Sequence, residues 1–265
     1  MNTKRIAIIG VGNLGSAIAR GIASSGRFRA KDIALSVHNE KNRDILGKEG
    51  FDVFFDNKKA AAENDLLILA VKPYQTDVLL EEIKHQVESK NPVIVSCITG
   101  ISSEYIYERL GCRPALFRVM PNTGIGIGES MSCISAHNAD DSACKFVNDL
   151  FEALGKVLFI SEDMMPAATA LAGCGIAYAL RFIRAATEAG VEIGFKASDA
   201  KKIAAQITKG AAQLILSNNS NPEEEIDKVT TPKGITIRGL NEMEHSGFSS
   251  AVIKGITESF EKTSK

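Results

Sequence analysis

The sequence predicts an α/β protein, an N-terminal doubly wound sheet followed by an all-helical C-terminal domain. Three observations carry this. Through residue 161, short apolar runs alternate with helix-like segments, as when crossover helices cover both faces of a mainly parallel sheet. A glycine-rich turn joins the first apolar run to the first helix. After Ser161 the strand pattern ends and alanine-rich helical stretches replace it.

Residues 5–9, apolar after Arg5, form the first strand, and the run from Asn13 to about Ser25 the first helix. A strand at 32–37, a helix at 41–49 and a strand at 51–55 follow. Residues 66–71 are continuously apolar, as a strand buried on both faces must be. Then come helix 76–88, strand 92–97, a helix capped by Ser102 and running to Leu110, and strand 115–119. Strands 131–135 and 157–160 flank helix 141–154. Beyond Ser161 the helical stretches are 164–190, 199–217 and 248–262. Asn221-Pro222 ahead of Glu223, Glu224 and Glu225 starts another helix, with a capping side chain, a proline at the first position and acids against the dipole. The expected domains are 1–161 and 162–265.

The chain has 265 residues, with 31 Lys+Arg against 32 Asp+Glu and a formal net charge of -1. No global basic excess points to nucleic acid. With 45% hydrophobic and 24% charged residues, wholesale disorder is excluded. The longest uncharged run, Met164 to Leu180, falls short of the ~20 residues a membrane span needs, and no membrane partner is expected. Lys4 and Arg5 precede an apolar run too short for a signal peptide. The five cysteines are odd in number and lack metal-ligand spacing, so they read as reduced cytoplasmic thiols. The scattered His38, His85, His137 and His245 give no metal cluster.

Gly10-Val11-Gly12-Asn13-Leu14-Gly15 follows the first strand and opens the first helix, the context of a Rossmann-type dinucleotide fingerprint. Gly10 permits the tight turn, Gly12 the approach of a pyrophosphate and Gly15 close packing of helix on strand. The helix N-terminus, with Asn13 and Leu14, offers N–H groups and positive dipole to phosphate. NAD enzymes usually end the second strand in an acid that binds the ribose 2′-OH. Here His38 and Asn39 stand at that strand end, with Lys41 and Arg43 just beyond. This favours NADPH, with NADH as the alternative; Glu40 argues the other way.

Three later strand ends carry Ala70-Val71-Lys72-Pro73, Ser96 to Gly100, and Arg118-Val119-Met120-Pro121-Asn122-Thr123. Carboxyl ends of parallel strands are where such cofactors bind. Further along stand Ala172 to Tyr178, reading A-G-C-G-I-A-Y, and Val229 to Ile237, reading V-T-T-P-K-G-I-T-I. In order, from residue 6 to about 250, these segments resemble pyrroline-5-carboxylate reductases, whose motifs are A-V-K-P, M-P-N-T, S-G-S-G-P-A-Y and V-T-S-P-G-G-T-T-I. Gln206 sits in an A-A-Q stretch like that family's. The resemblance implies NADPH-dependent reduction of 1-pyrroline-5-carboxylate to L-proline, the last step of proline synthesis. It also implies a helical domain that joins a second subunit as a homodimer or a larger ring of dimers. The chain departs from the pattern at Gly124, Cys174, Ile176, Lys233 and Ile235. The last two lie in the implied substrate loop and leave pocket shape and substrate range open.

In that loop, Thr231 and Pro232 can start a helix, so that the N–H groups of Gly234, Ile235 and Thr236 would bind a carboxylate. The resemblance places the substrate's carboxylate there too, on Thr231, Gly234, Ile235 and Thr236. It makes Thr236 the hydroxyl near the imine nitrogen, donating a proton directly or ordering a water. Lys233 adds charge to the site or is simply solvated, and Lys72 touches the cofactor or is merely exposed. Cys174 reads as a small packing residue and Tyr178 as core. The competing readings are another NAD(P)-dependent imine or 3-hydroxy-acid oxidoreductase, and a non-catalytic NADP(H)-binding sensor. The 3-hydroxy-acid enzymes usually need a lysine on the long helix, and Thr169 to Ile183 contains none.

Overall fold

Eight strands form one sheet in the order β3-β2-β1-β4-β5-β6-β7-β8. They are β1 (Ile6–Ile9), β2 (Ile33–Ser36), β3 (Asp52–Phe54), β4 (Leu66–Leu69), β5 (Val93–Ser96), β6 (Leu116–Met120), β7 (Ser130–His137) and β8 (Gly155–Phe159). This computed structural model describes residues 5–263; residues 1–4 and 264–265, the ends of the two expected domains, lie outside the described residues. All eight expected strands are present, and every junction is parallel except β6 with β7. The first six follow the order of dinucleotide-binding sheets.

Side-chain alternation divides the core between the two faces of the sheet. Ile6, Ile8, Leu66 and Ile68 pack with Ile18 and Ile22 of α1 (Asn13–Ser24) and with Val147 and Phe151 of α6 (Asp141–Glu152). Ala7, Ile9, Leu67 and Leu69 pack on the other face with Leu80 and Ile83 of α4 (Thr76–Lys90) and Ile106 of α5 (Ser103–Leu110). Both faces are covered, which is why β1 and β4 are apolar at every position.

Side chains set several helix starts. Asn39 caps α2 (Glu40–Lys48), Asp56 caps α3 (Asn57–Glu63), Ser102 caps α5 and Asp140 caps α6. α3 has no counterpart in the sequence reading. It has seven residues and no apolar period; the Asp56 cap was its one signal.

The described residues up to Gly173, with Lys262 and Thr263, form one compact unit, and Cys174–Glu261 forms the other. In the first, α7 (Met165–Ala168) leads into a π-helical turn at Thr169–Gly173. That turn interrupts the single helix expected over 164–190. The second unit contains α8 (Gly175–Glu192), α9 (Ala197–Asn218), α10 (Pro222–Lys228), α11 (Ile235–His245) and most of α12 (Phe248–Thr263). α8 and α9 meet where Gly190 faces Ala200; a Cβ there would approach Ala200 Cβ to 2.9 Å. Tyr178 of α8 shares a hydrogen bond with Ser259 of α12 at 2.5 Å, and Phe182 packs edge-on against Phe248. Asn221 caps α10 in a capping box with Glu224, as its sequence implies.

The helical stretch Glu162–Glu192 has 31 residues and a most apolar window of mean hydropathy 1.3, long and apolar enough to cross a membrane by length and composition. The helix extends past Leu180 through Arg181 and Arg184, so its most apolar 18 residues need not be free of charge.

Candidate active site

The glycine turn sits where β1 ends. Gly10 has φ +92, and a Cβ on it would lie 2.7 Å from the Ala70 carbonyl carbon. A Cβ on Gly15 would lie 2.3 Å from the Gly10 oxygen. Both positions therefore exclude side chains for packing reasons. Gly12 differs, because a Cβ there would meet nothing within 4 Å. Its missing side chain leaves an open cradle in front of α1. That helix carries no capping side chain, in contrast to α2, α3, α5 and α6, and no acid in its first turn. Its N-terminal N–H groups and dipole thus stay available to an anion, and the cradle fits a dinucleotide pyrophosphate. Asn13 is exposed beside it, and Leu14 leans into the core.

At the end of β2, Val37 is buried while His38 and Asn39 are exposed. Asn39 Oδ1 accepts from the Asn42 N–H at 2.8 Å, which leaves its amide nitrogen to face a ligand. Asn42 Nδ2 donates to the Val11 carbonyl at 3.1 Å and ties α2 to the glycine turn. Arg43 pairs with Glu40 at 3.2 Å and lies 5.5 Å from the Phe55 ring centre, with both charged side chains still exposed.

His38 and Val71 border a cavity of about 260 Å³ together with Asn57, Tyr74, Gln75 and Glu82. Behind it, the buried Ser36 hydroxyl donates to Asn57 Oδ1 at 2.6 Å, and Asn57 Nδ2 donates to Glu82 Oε2 at 2.8 Å. Sequence reasoning missed this chain of polar groups. Its members lie on β2, α3 and α4 and share no spacing motif.

After β4, Val71 is buried, Ala70 half-buried, and Lys72 and Pro73 exposed. The Lys72 N–H donates to Gln75 Oε1 at 3.1 Å, holding the loop closed. After β6, Met120 and Pro121 are buried. Asn122 is fixed at three points. Its N–H donates to Ser130 Oγ at 3.1 Å, Oδ1 accepts from the Gly124 N–H at 2.9 Å, and Nδ2 donates to the Ala172 carbonyl at 3.1 Å. A proline at 124 would have no such N–H. Gly173 gives Met120 room, since a Cβ there would stand 3.2 Å from the thioether sulfur.

A second feature that sequence reasoning missed lies behind these loops. Arg118 Nη1 donates to Glu162 Oε1 at 2.8 Å. The same carboxylate accepts from the Ser103 N–H at 2.7 Å and from its hydroxyl at 2.5 Å. His137 Nε2 is 3.7 Å away and contacts Ser135 Oγ at 3.0 Å. Burial pulls the Glu162 carboxyl up, but the bonds from Ser103 and Arg118 outweigh it and hold the group below the usual carboxylate range. Burial pushes His137 below its ordinary value. Burial also raises the Cys97 thiol to about 12, which removes it as a nucleophile. Among the described residues, no group of three His, Cys, Asp or Glu side chains can hold a metal ion.

In the second unit, Thr231 to Gly234 form a turn closed by the Gly234 N–H on the Thr231 carbonyl at 2.9 Å. Pro232 precedes Lys233, whose φ is +62, the arrangement of a type II turn. Two sequence expectations are corrected here. Helix α11 begins at Ile235 rather than at Thr231 and Pro232, and the Gly234 N–H is spent in the turn. Gly234 is the N-cap, and a Cβ on it would lie 2.6 Å from Thr231 Oγ1. With no capping side chain, the first-turn N–H groups from Ile235 onward remain for a carboxylate. Other helical threonines, such as Thr187 and Thr208, bond back to the carbonyl four residues earlier. Thr236 is exposed in the first turn, and Ile235 is 89% exposed. Cys174 is half-buried and Gln206 exposed.

Comparison with known proteins follows this division. Residues 162–265 match the family model of pyrroline-5-carboxylate reductase dimerisation, and residues 5–100 match that of NADP oxidoreductase, coenzyme F420-dependent. The chain is 46% identical to pyrroline-5-carboxylate reductase 2 of Dictyostelium discoideum, over 100% of this chain and 93% of that one. It is 45% identical to reductase 1 of the same organism, over 97% of this chain and 49% of that longer protein. The NADP-bound crystal structure of Plasmodium falciparum pyrroline carboxylate reductase superposes with a TM-score of 0.91 at 28% identity, covering 99% of this chain and 98% of the other.

Proposed function

The chain belongs to the pyrroline-5-carboxylate reductase family, and from that premise we propose that it reduces 1-pyrroline-5-carboxylate to L-proline with NADPH. The observation that carries the site assignment is the open cradle at Gly12 in front of the uncapped α1. Bound there, the nicotinamide cofactor supplies a hydride to the carbon of the substrate's C=N bond.

The chain's own residues hold and orient. Gly10, Gly12, Asn13, Leu14 and Gly15 take the pyrophosphate. His38 and Asn39 take the adenosine end, and the acid-free end of β2 supports NADPH over NADH. Ala70, Val71, Lys72 and Pro73 line the path along the sheet, and Met120, Pro121 and Asn122 wall the nicotinamide side. The turn at Thr231 and Gly234 and the first N–H groups of α11, at Ile235 and Thr236, hold the substrate carboxylate. A protonated imine needs little further acid, so positioning supplies much of the acceleration. The Thr236 hydroxyl orients the imine nitrogen and relays its proton, directly or through water.

In domain terms, residues 1–161 bind the dinucleotide, and residues 162–265 bind substrate and join a second copy in a homodimer or a ring of dimers. We assign the protein to the cytoplasm, where five unpaired thiols stay reduced. The test is absorbance of the reduced nicotinamide with NADPH and pyrroline-5-carboxylate, then with NADH. Oxidation that yields proline, faster with NADPH, is expected. Cofactor binding without oxidation would overturn the activity.

A further inference from the structure

We propose that Glu162 is a positioning residue for the hydride-transfer step, its carboxylate holding in register two strand-end loops beside the nicotinamide. The inference rests on the assignment of those loops to the cofactor. Three pieces of chain meet on this carboxylate. Ser103 opens α5 and fixes the end of the loop that leaves β5 at Ser96. Arg118 lies in β6, two residues before Met120. Glu162 itself begins the segment that returns to the sheet through Ala172, the acceptor for Asn122 Nδ2.

That segment is therefore pinned at both ends to the loops it passes, by the carboxylate at one end and by Asn122 at the other. The side chain of Arg118 is 9% exposed and that of Glu162 29%, so their pairing is shielded and directional rather than a surface contact. Both carboxylate oxygens are engaged, which leaves the group one orientation. None of these contacts reaches the glycine turn, so loosening them displaces the nicotinamide side while the phosphate grip stays. A small misplacement of reacting groups costs rate far more than binding.

The experiment compares wild type, Glu162→Gln, and the double variant Arg118→Met/Glu162→Gln, which removes both charges and leaves the amide oxygen to accept from Ser103. In Glu162→Gln the NADPH Kd is expected to stay within about twofold while kcat falls about tenfold. The primary isotope effect on kcat with NADPH deuterated at the transferred position should rise as chemistry becomes limiting. The double variant should regain thermal stability but not kcat, and it carries the test if the single variant fails to fold. A kcat unchanged in the glutamine variant, or one that recovers together with Tm in the double variant, overturns the proposal. If the wild type binds NADPH but reduces no pyrroline-5-carboxylate, the assigned function fails separately. The fluorescence lifetime of bound NADPH then reads the same geometry, and identical lifetimes in wild type and variant overturn the proposal.

Discussion

Two glycines two residues apart, Gly10 and Gly12, separate folding from binding at the residue scale. Alanine at Gly10 would have to adopt φ +92 and press on Ala70, so the protein should be destabilised by about 2 kcal/mol or more. Alanine at Gly12 has an allowed φ of -88 and open space around its methyl. Gly12→Ala should leave Tm unchanged and weaken NADPH binding at least about tenfold, because the methyl occupies the phosphate's place. Calorimetric titration beside a thermal melt checks both halves. Thr236→Ala should lower kcat by about tenfold to a hundredfold with NADPH affinity intact; steady-state kinetics that return wild-type turnover would remove the role assigned to this hydroxyl. Lys233 raises a different question. Its left-handed φ of +62 strains a lysine by about 1 kcal/mol, which glycine would relieve. Glycine's greater freedom when unfolded returns about 0.5–1 kcal/mol of that. Lys233→Gly should therefore be nearly neutral in denaturant melts. If the side chain is only solvated, KM for the substrate should also change little.

At the scale of elements, acid stability follows from the cluster joining β6, β7, α5 and the segment after β8. The folded Glu162 carboxyl titrates below its ordinary 4.5, so its contribution is present above that pH and is lost as pH falls through the depressed value. His137 titrates below 6.5 when folded, so its contribution is complete above 6.5 and declines as pH drops below it, where only the unfolded chain takes up the proton. Both act in one direction. Tm should be flat with respect to these groups above pH 6.5 and fall on acidification. His137→Gln should remove the upper part of that slope, and Glu162→Gln should flatten the part below 4.5. The same cluster explains what the sequence left hidden. The strands were legible because a sheet buried on both faces is written as continuous apolar runs, and the glycine turn because its backbone demands are local. Arg118 and Glu162 are 44 residues apart, and neither spacing nor composition links them. Ser36, Asn57 and Glu82 meet only through packing of α3 and α4. The π turn was hidden for a related reason, since the alanine-rich run around it suits an unbroken helix equally well.

For the whole molecule, the outer faces of the helical unit set the strongest expectation. Leu216 is 72% exposed, Ile253 61%, Leu180 57% and Ile207 55%, so apolar side chains on three helices face outward. Such surface on a folded unit marks contact with another protein or with lipid. Length and hydropathy alone admit the second for Glu162–Glu192. Charge argues for the first. Arg181, Arg184 and Glu188 recur along α8, with Arg184 and Glu188 paired at 3.0 Å, and Lys201, Lys202 and Lys209 along α9. A span over Glu162–Glu192 would draw Arg181 and Arg184 toward hydrocarbon, whereas an interface between copies leaves charged groups at a wet rim. The match of residues 162–265 to a dimerisation family points the same way. Light scattering after size exclusion should therefore give a dimer or a multiple of it, and vesicle flotation should leave the protein in the dense fraction. Ile207→Glu combined with Ile253→Glu should divide the assembly and lower Tm, because an obligate interface contributes to the stability of each copy. A wild-type monomer that floats with vesicles would reverse the assignment and make the same face a lipid contact.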